Sequence, residues 1–328
     1  MLFRKVQYGK ETTRFTAVAA TKALTGEINV PKDRVPTYFG GSLGIRVREN
    51  QAVIAQIKAG DIRYTDPAAY FQELVLFLSL GLMGGITPTE QTPSQADYLW
   101  PFLPTMTAAD ALDAITLELG DDERAYEVEG VSATSFKLSG KTGDNSLVSL
   151  DVGLLGKQLT STTITPAIAL PTREPIIGNL AKIYLDPSWA TVGATQKTGI
   201  LREYSSELQF GVEQLHHGAA KTVDSQRQGY LGGMFQFVFE RGAEAEAIFD
   251  AFNAQTFKVM RLRLEGGQIG TGVNHKIDID MGGYFEAVDP WGQEDQGFGL
   301  YTATFHPLYD GTGAKAIDVN VVTSTNAI

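Results

Sequence analysis

Apolar and polar residues alternate with a period of two along most of this chain. Ile115-Thr-Leu-Glu-Leu119, Tyr126-Glu-Val-Glu129, Leu208-Gln-Phe-Gly-Val212, Ile277-Asp-Ile-Asp-Met281 and Ile317-Asp-Val-Asn-Val321 each present one apolar and one polar face. That is the pattern of half-solvated antiparallel strands. Gly120-Asp-Asp122, Gly143-Asp-Asn145, Gly266-Gly267 and Gly282-Gly283 tolerate positive φ and read as the turns between strands.

Two segments switch to a helical period. In the first, Asp66 is placed to cap and Pro67 to open a helix whose apolar face carries Phe71, Leu74, Val75 and Leu78, ending at Gly81. The second runs from about Ala243 to Ala254, with Ile248, Ala251 and Phe252 inward and Glu244, Glu246 and Asp250 outward. The order strands, helix, strands therefore occurs twice, within roughly residues 12–160 and 180–325. The predicted fold is mainly β, with two duplicated antiparallel β-sandwich or barrel-like domains, each with one flanking α-helix. The first domain spans 1–162 and includes an N-terminal arm. A linker over 163–175 carries Pro166, Pro171 and Pro175, and the second domain spans 176–328. Residues 84–113 of the first domain have no counterpart in the second. An insertion of that length is expected to work outside its own domain.

Composition narrows the function classes. With 43% hydrophobic and 20% charged residues the chain has the makeup of a folded protein. It has no cysteine, which removes disulfides, thiolate metal sites and cysteine nucleophiles together. No apolar stretch reaches the ~20 residues of a membrane-spanning helix, and the N-terminus has no secretory pattern, so synthesis in a cytoplasm is expected. The net charge is −11, yet residues 1–50 carry nine basic and four acidic groups. Such segregation suits a face that pairs with an acidic face, on this copy or another.

The chemical motifs fail on context. Gly40-Gly-Ser42-Leu-Gly44 matches a nucleophile elbow, but the following Ile45-Arg-Val-Arg48 is strand-like where a helix is required. Ser139-Gly-Lys-Thr142 lacks the glycine six residues before Lys141 that a phosphate loop needs, and a strand follows it, so it reads as a hairpin turn. The glycine-rich run 266–272 reads as a loop between strands. His216 and His217 are adjacent and would point to opposite faces of a strand. His275, Asp278 and Asp280 offer a possible oxygen-rich site but read better as the wet side of a strand. Tyr98, Trp100, Phe102, Trp189, Trp291, Phe298 and Tyr301 lack the flanking basic residues of a nucleic-acid platform and read as core or interface packing. No catalytic residue, cofactor or metal site is expected.

Several ordered features resemble the two-domain tail tube (major tail) protein of long-tailed bacteriophages. They are Gly9-Lys-Glu-Thr-Thr13 leading to Ala19-Ala-Thr21, the Asp66 helix ending in Leu80-Gly81, and Tyr98-Leu-Trp-Pro-Phe-Leu-Pro104. The run Ile115 to Lys157 follows, with Thr116-Leu-Glu-Leu-Gly-Asp121, Tyr126-Glu-Val-Glu-Gly130 and Val152-Gly-Leu-Leu-Gly-Lys157, and then Ala316-Ile-Asp-Val-Asn320. The resemblance covers most of residues 9–160 and, more diffusely, 180–322. It implies a structural virion protein made in the host cytoplasm, with two tail-tube domains per chain, so that trimers form pseudo-six-fold rings stacked into a hollow tube. The implied partners are other copies, a tape-measure protein in the lumen, tail terminator and baseplate or distal tail proteins, and double-stranded DNA in transient, non-specific passage, with no membrane. An acidic bore is expected, with Glu118, Glu127, Glu129, Glu207, Asp278 and Asp280 as candidate lining residues. Arg4, Lys5, Lys10, Arg14, Tyr98 and Trp100 are candidate contacts between rings or subunits, within residues 1–25 and the insertion. The alternatives are a β-sandwich virion surface or carbohydrate-binding protein, and a serine hydrolase using Ser42.

Overall fold

The computed structural model describes residues 5–38, 52–59, 61–121, 123–143, 146–217, 221–295 and 298–328. The fold is mainly β, with antiparallel sheets and two α-helices. The first half contains β1 (Lys5–Lys10), β2 (Lys22–Leu24), β3 (Glu27–Asn29), β4 (Lys32–Tyr38), β5 (Ala52–Ala59), β6 (Ile62–Asp66) and α1 (Phe71–Gly81). It continues with β7 (Thr89–Glu90), β8 (Tyr98–Phe102), β9 (Ile115–Gly120), β10 (Ala125–Lys141), β11 (Ser149–Leu155) and β12 (Leu159–Thr162). The second half contains β13 (Ala181–Asp186), β14 (Gln196–Lys197), β15 (Leu201–Gln209), β16 (Val212–Leu215), β17 (Ser225–Gln228), β18 (Gly232–Glu240) and α2 (Ala243–Asn253). It ends with β19 (Lys258–Gly270), β20 (Val273–Asp295), β21 (Phe298–Pro307) and β22 (Ile317–Thr323).

Strand by strand, the two halves pair in the same order. In the first, β2-β1-β9-β10-β12 forms one sheet, and the C-terminal part of β10 enters another, β10-β11-β6-β3. In the second, the counterparts are β14-β13-β19-β20-β22 and β20-β21-β18-β15. Each half also has a two-stranded hairpin between its third strand and the strand before its helix, β4–β5 and β16–β17. The correspondence extends to a bulge: the register shifts at Thr134 between β10 and β11, and at Glu286 between β20 and β21. Among the described strands, only the β7–β8 pair lacks a counterpart.

The halves are not separate bodies joined by a linker alone. β10 pairs with β15 over seven positions, from Ser135↔Gln209 to Lys141↔Glu203. This makes one eight-stranded sheet, β3-β6-β11-β10-β15-β18-β21-β20. The insertion supplies a second tie, because β8 pairs with β22 of the other half, Phe102 opposite Val319 and Tyr98 opposite Thr323. The sheets wrap into a barrel-like body. Among the described pairings, β3 meets only β6, and the stretch of β20 beyond Gly283 meets only β21, so each end of the eight-stranded sheet is an edge.

Helix α1 is buried on all sides, with Leu74, Val75, Leu76, Phe77, Leu78 and Leu80 withdrawn from solvent. Each such side chain contributes about 1.5–3 kcal/mol relative to exposure. It begins after Tyr70, with no side-chain cap. Asp66 instead ends β6, where its carboxylate accepts the Ala68 N–H and the Thr25 hydroxyl. Helix α2 is amphipathic, burying Ala245, Ile248 and Ala251, and matches the expected 243–254 span.

Several turn and strand expectations are corrected. Gly266-Gly267 lies inside β19 at a register shift, and Gly282-Gly283 lies inside β20. A Cβ at Gly283 would collide with the His306 carbonyl, and one at Gly282 would press on Trp189 and Phe257, so these glycines serve close approach rather than a turn. The expected strand 208–212 is the end of β15 and the start of β16, separated at Gly211 with φ +62°. The expected half-solvated strands at 115–119 and 277–281 are buried on both faces along most of their length, because their polar faces find partners inside the protein.

Candidate assembly face and sheet edges

The eight-stranded sheet has one apolar face and one polar face. Along β15, Tyr204, Ser206 and Leu208 are buried while Glu203, Ser205, Glu207 and Gln209 alternate with them on the outer side. Period-two geometry carries the same division across the neighbouring strands. The polar face thus presents Glu27, Arg63, Ser149, Asp151, Ser135, Lys137, Ser139, Lys141, Gln236, Thr302, Thr304 and Asp289 around the β15 residues. Its acidic groups Glu27, Asp151, Glu203, Glu207, Glu286 and Asp289 are answered by Arg63, Lys137 and Lys141. Ion pairs cross between strands: Lys141 Nζ to Glu203 Oε1 at 2.6 Å, Lys137 to Glu207 at 3.7 Å and Arg63 Nε to Asp151 at 2.9 Å, and His306 Nε2 lies 2.6 Å from the Glu286 carboxylate. Solvent screens exposed pairs of this kind, so they order the face without holding the sheet together.

Of the six carboxylates expected to line a bore, only Glu207 belongs to this face. Asp278 and Asp280 do not: both are buried in a four-residue ladder between β19 and β20. Arg263 Nε donates to Asp278 at 2.6 Å and Arg261 Nε to Asp280 at 2.6 Å, each with a second guanidinium contact. Burial pushes the Asp280 carboxyl up to about 6 against the opposing pull of Arg261. The Asp278 contact holds the Arg263 guanidinium charged more firmly than usual. Glu118 is also internal, accepting the Ala20 N–H at 2.9 Å, the Thr165 N–H at 2.8 Å and the Thr165 hydroxyl at 2.7 Å. It thereby pins the start of the inter-half segment to β9. Glu127 and Glu129 are half-buried on and beside the part of β10 that pairs with β9 and β12, and Glu129 takes Lys157 at 2.7 Å.

The candidate contact residues divide similarly. Lys5 and Lys10 are exposed at the two ends of β1, but β1 itself is an internal strand with Val6, Gln7 and Tyr8 buried, not a free arm. Arg14 turns inward, bonding Ser132 Oγ at 2.8 Å, the Leu112 carbonyl at 2.9 Å and the Gln226 side chain. Trp100 is 2% exposed and donates its indole N–H to the Thr325 carbonyl at 2.7 Å, so it belongs to the chain's own core. Tyr98 is half-buried beside it. Arg4 and the Gly40–Gly44 motif with Ser42 lie outside the described residues.

A polar network that the sequence reading missed sits under α1. Glu73 is buried and accepts the Tyr64 hydroxyl at 2.8 Å and the Thr25 hydroxyl at 2.8 Å, tying the helix to β6 and to the turn before β3. Burial raises its pKa, and its negative charge helps to raise that of Tyr64. A lone Glu inside the apolar run Phe71–Leu82 was the available signal.

No group of three or more His, Asp or Glu side chains arranged to hold a metal ion occurs among the described residues. His275 stacks on Phe71 rather than joining Asp278 and Asp280. Ser139-Gly-Lys141 ends β10 and no helix follows, so its amides form no phosphate cradle. No helix among the described residues is long and apolar enough to cross a membrane. No protein-family model matches the chain, and no curated protein is significantly similar to it in sequence.

Proposed function

We propose that this chain is a structural protein whose copies join sheet edge to sheet edge into rings, which stack as the tail tube of a long-tailed bacteriophage. One observation carries the reading: the chain already contains the joint it would use between copies. β10 of the first half meets β15 of the second across seven pairs. The counterpart of β10 is β20, and the counterpart of β15 is β3, the two edges of the eight-stranded sheet. The matched bulges make Ala287 the counterpart of Ser135, and the matched pairings make Glu27 the counterpart of Glu203. β20 shifts register a second time, between Asp289 and Gln293, which makes Gln293 the counterpart of Ser139, so a joint of the same register between copies would set Asn29 opposite Gln293.

Exposed edges invite pairing with another chain, and a barrel closes them. Two different edges on one copy make the association head-to-tail, which closes when the rotation per unit divides a circle. With two halves per chain, three copies close a pseudo-six-fold ring. Eight strands per chain then give 24 around the bore. At ~4.8 Å spacing and ~40° tilt the circumference is roughly 150 Å and the backbone diameter about 48 Å. Side chains reduce this to about 38 Å, which admits a DNA duplex ~20 Å wide without gripping it. The polar face supports the lining role, being hydroxyl-rich and net acidic, so that phosphates are repelled within a Debye length of ~8 Å. Electron microscopy of the concentrated protein tests the reading: rings or tubes with three chains per ring are expected, and a monodisperse monomer at high concentration would overturn it.

A further inference from the structure

The hairpin β16–β17 does not stay with its own half. It crosses the seam and seats on the first half, where the Gln226 side-chain oxygen accepts the Ser132 hydroxyl at 2.9 Å and the Arg14 guanidinium. Gln228 donates to the Gly81 carbonyl at 2.9 Å, at the C-terminus of α1, and accepts the Asp110 N–H at 2.9 Å. The α1 terminus is buried beneath this contact: Gly81 and Leu82 are both withdrawn from solvent.

The same place in the second half is bare. Ser132 lies two residues before the bulge in β10, and Tyr284 lies two before the bulge in β20. Tyr284 is 37% exposed, with Phe257 set edge-on against it, and Leu308 and Tyr309 beyond it are 50% and 55% exposed. The α2 terminus, Asn253 to Thr256, is exposed throughout, in contrast to its counterpart on α1. The hairpin that would match β16–β17 is β4–β5, which leaves the sheet after β3, one of the two free edges. Charge fits the match: the sequences of β4 and β5 contain Lys32, Arg34 and Lys58 against Asp33, whereas residues 284–290 contain Glu286 and Asp289 and no basic residue. Opposed patches of this kind steer association and select register.

We propose that the β4–β5 hairpin of one copy seats on a second copy, over Tyr284 and the C-terminus of α2, as β16–β17 seats over Ser132 and the C-terminus of α1 within the chain. The inference rests on the ring reading and deepens it by naming a lateral contact and its two parts. The seat is an apolar platform rimmed by Glu286 and Asp289, and the occupant is a basic two-stranded ribbon. Val53 stands as far before Ile62 in β6 as Gln226 stands before Phe235, the counterpart position in β18, so Val53 is the residue expected above Tyr284.

The chain lacks cysteine, so a short bis-maleimide reagent reads this contact without background. In the Val53→Cys, Tyr284→Cys double variant, assembled material should yield covalent dimers and trimers under denaturing conditions. Diluted, disassembled protein should yield neither. Rings or tubes that form without this cross-link would overturn the hairpin seat and leave the ring reading standing, while absence of both would overturn the two together. A charge swap gives an independent arm: Arg34→Glu with Lys58→Glu should weaken self-association at least about tenfold by sedimentation. Adding Glu286→Lys and Asp289→Lys should restore it. Failure of the second pair to rescue a folded first variant would also overturn the proposal.

Discussion

Lys141 of β10 and Glu203 of β15 face each other across the seam between the two halves, with Nζ 2.6 Å from Oε1. Their backbones pair in register, and their side chains lie on the polar face of the eight-stranded sheet. The counterparts of these residues are Asp295 and Glu27, which belong to the two free edges. One chain thus carries a formed seam and, at the two edges of the same sheet, the counterparts of the strands that form it.

Buried packing, not the exposed ion pairs, holds the seam. Lys141→Ala removes one exposed ion pair and should lower stability by less than about 1 kcal/mol. Phe136→Ala, at a buried seam position opposite Leu208, should cost about 3–5 kcal/mol. Urea denaturation of the two variants measures the contrast.

Removal of residues 1–10 should unfold the chain rather than merely weaken assembly. β1 pairs with both β2 and β9, and Val6 and Tyr8 are core residues. Circular dichroism of the truncated chain should show loss of a cooperative thermal transition. A native-like transition with impaired polymerisation would restore the arm reading.

Asp280 gives a pH dependence of definite sign. Its carboxyl is raised in the folded state to about 6, mainly by burial, against about 4 when unfolded. Between these values the folded chain holds a proton that the unfolded chain has released. The stabilisation from this group is therefore present below pH ~4 and lost as pH rises through ~6. Asp280→Asn should reduce the fall in urea midpoint between pH 4.5 and 7.5 relative to the unaltered chain. An unchanged difference would show that Arg261 keeps the carboxylate ionised across the range.

The polar face has its own test. Glu203→Lys with Glu207→Lys reverses two carboxylates on the candidate lining while leaving every buried network intact. Tubes should still form, and DNA ejection should slow, with the penalty shrinking as salt rises. Ejection at an unchanged rate would remove the electrostatic role of the face.

Much of the architecture was legible from periodicity. The strands around Ile115, Tyr126, Ile277 and Ile317 and both helices follow from spacing of two and of 3.6. What misled was the polar half of the alternation. Glu118, Asp278 and Asp280 have the spacing of a wet strand face, but whether such a face meets solvent or, as here, Ala20 and Thr165 for Glu118 and Arg261 and Arg263 for the aspartates depends on which segment lies alongside, and sequence spacing carries no information on that. The glycine pairs failed for a related reason: Gly283 reads as a turn, yet it answers the approach of His306 from a strand more than twenty residues away. The N-terminal arm expected within residues 1–25 rests on charge, whereas the buried Val6 and Tyr8 of β1 decide its place. Glu203, Asp151 and Glu286 were passed over because their strands alternate hydroxyls and charges against mixed buried residues, which weakens the pattern.

The most direct measurement is a density map of the assembled protein viewed down its axis. The account predicts three chains per ring, with a continuous bore of 24 strands in which β20 of each copy lies beside β3 of the next, Gln293 near Asn29. A ring of six chains, or a bore in which these two edges do not meet, would contradict it.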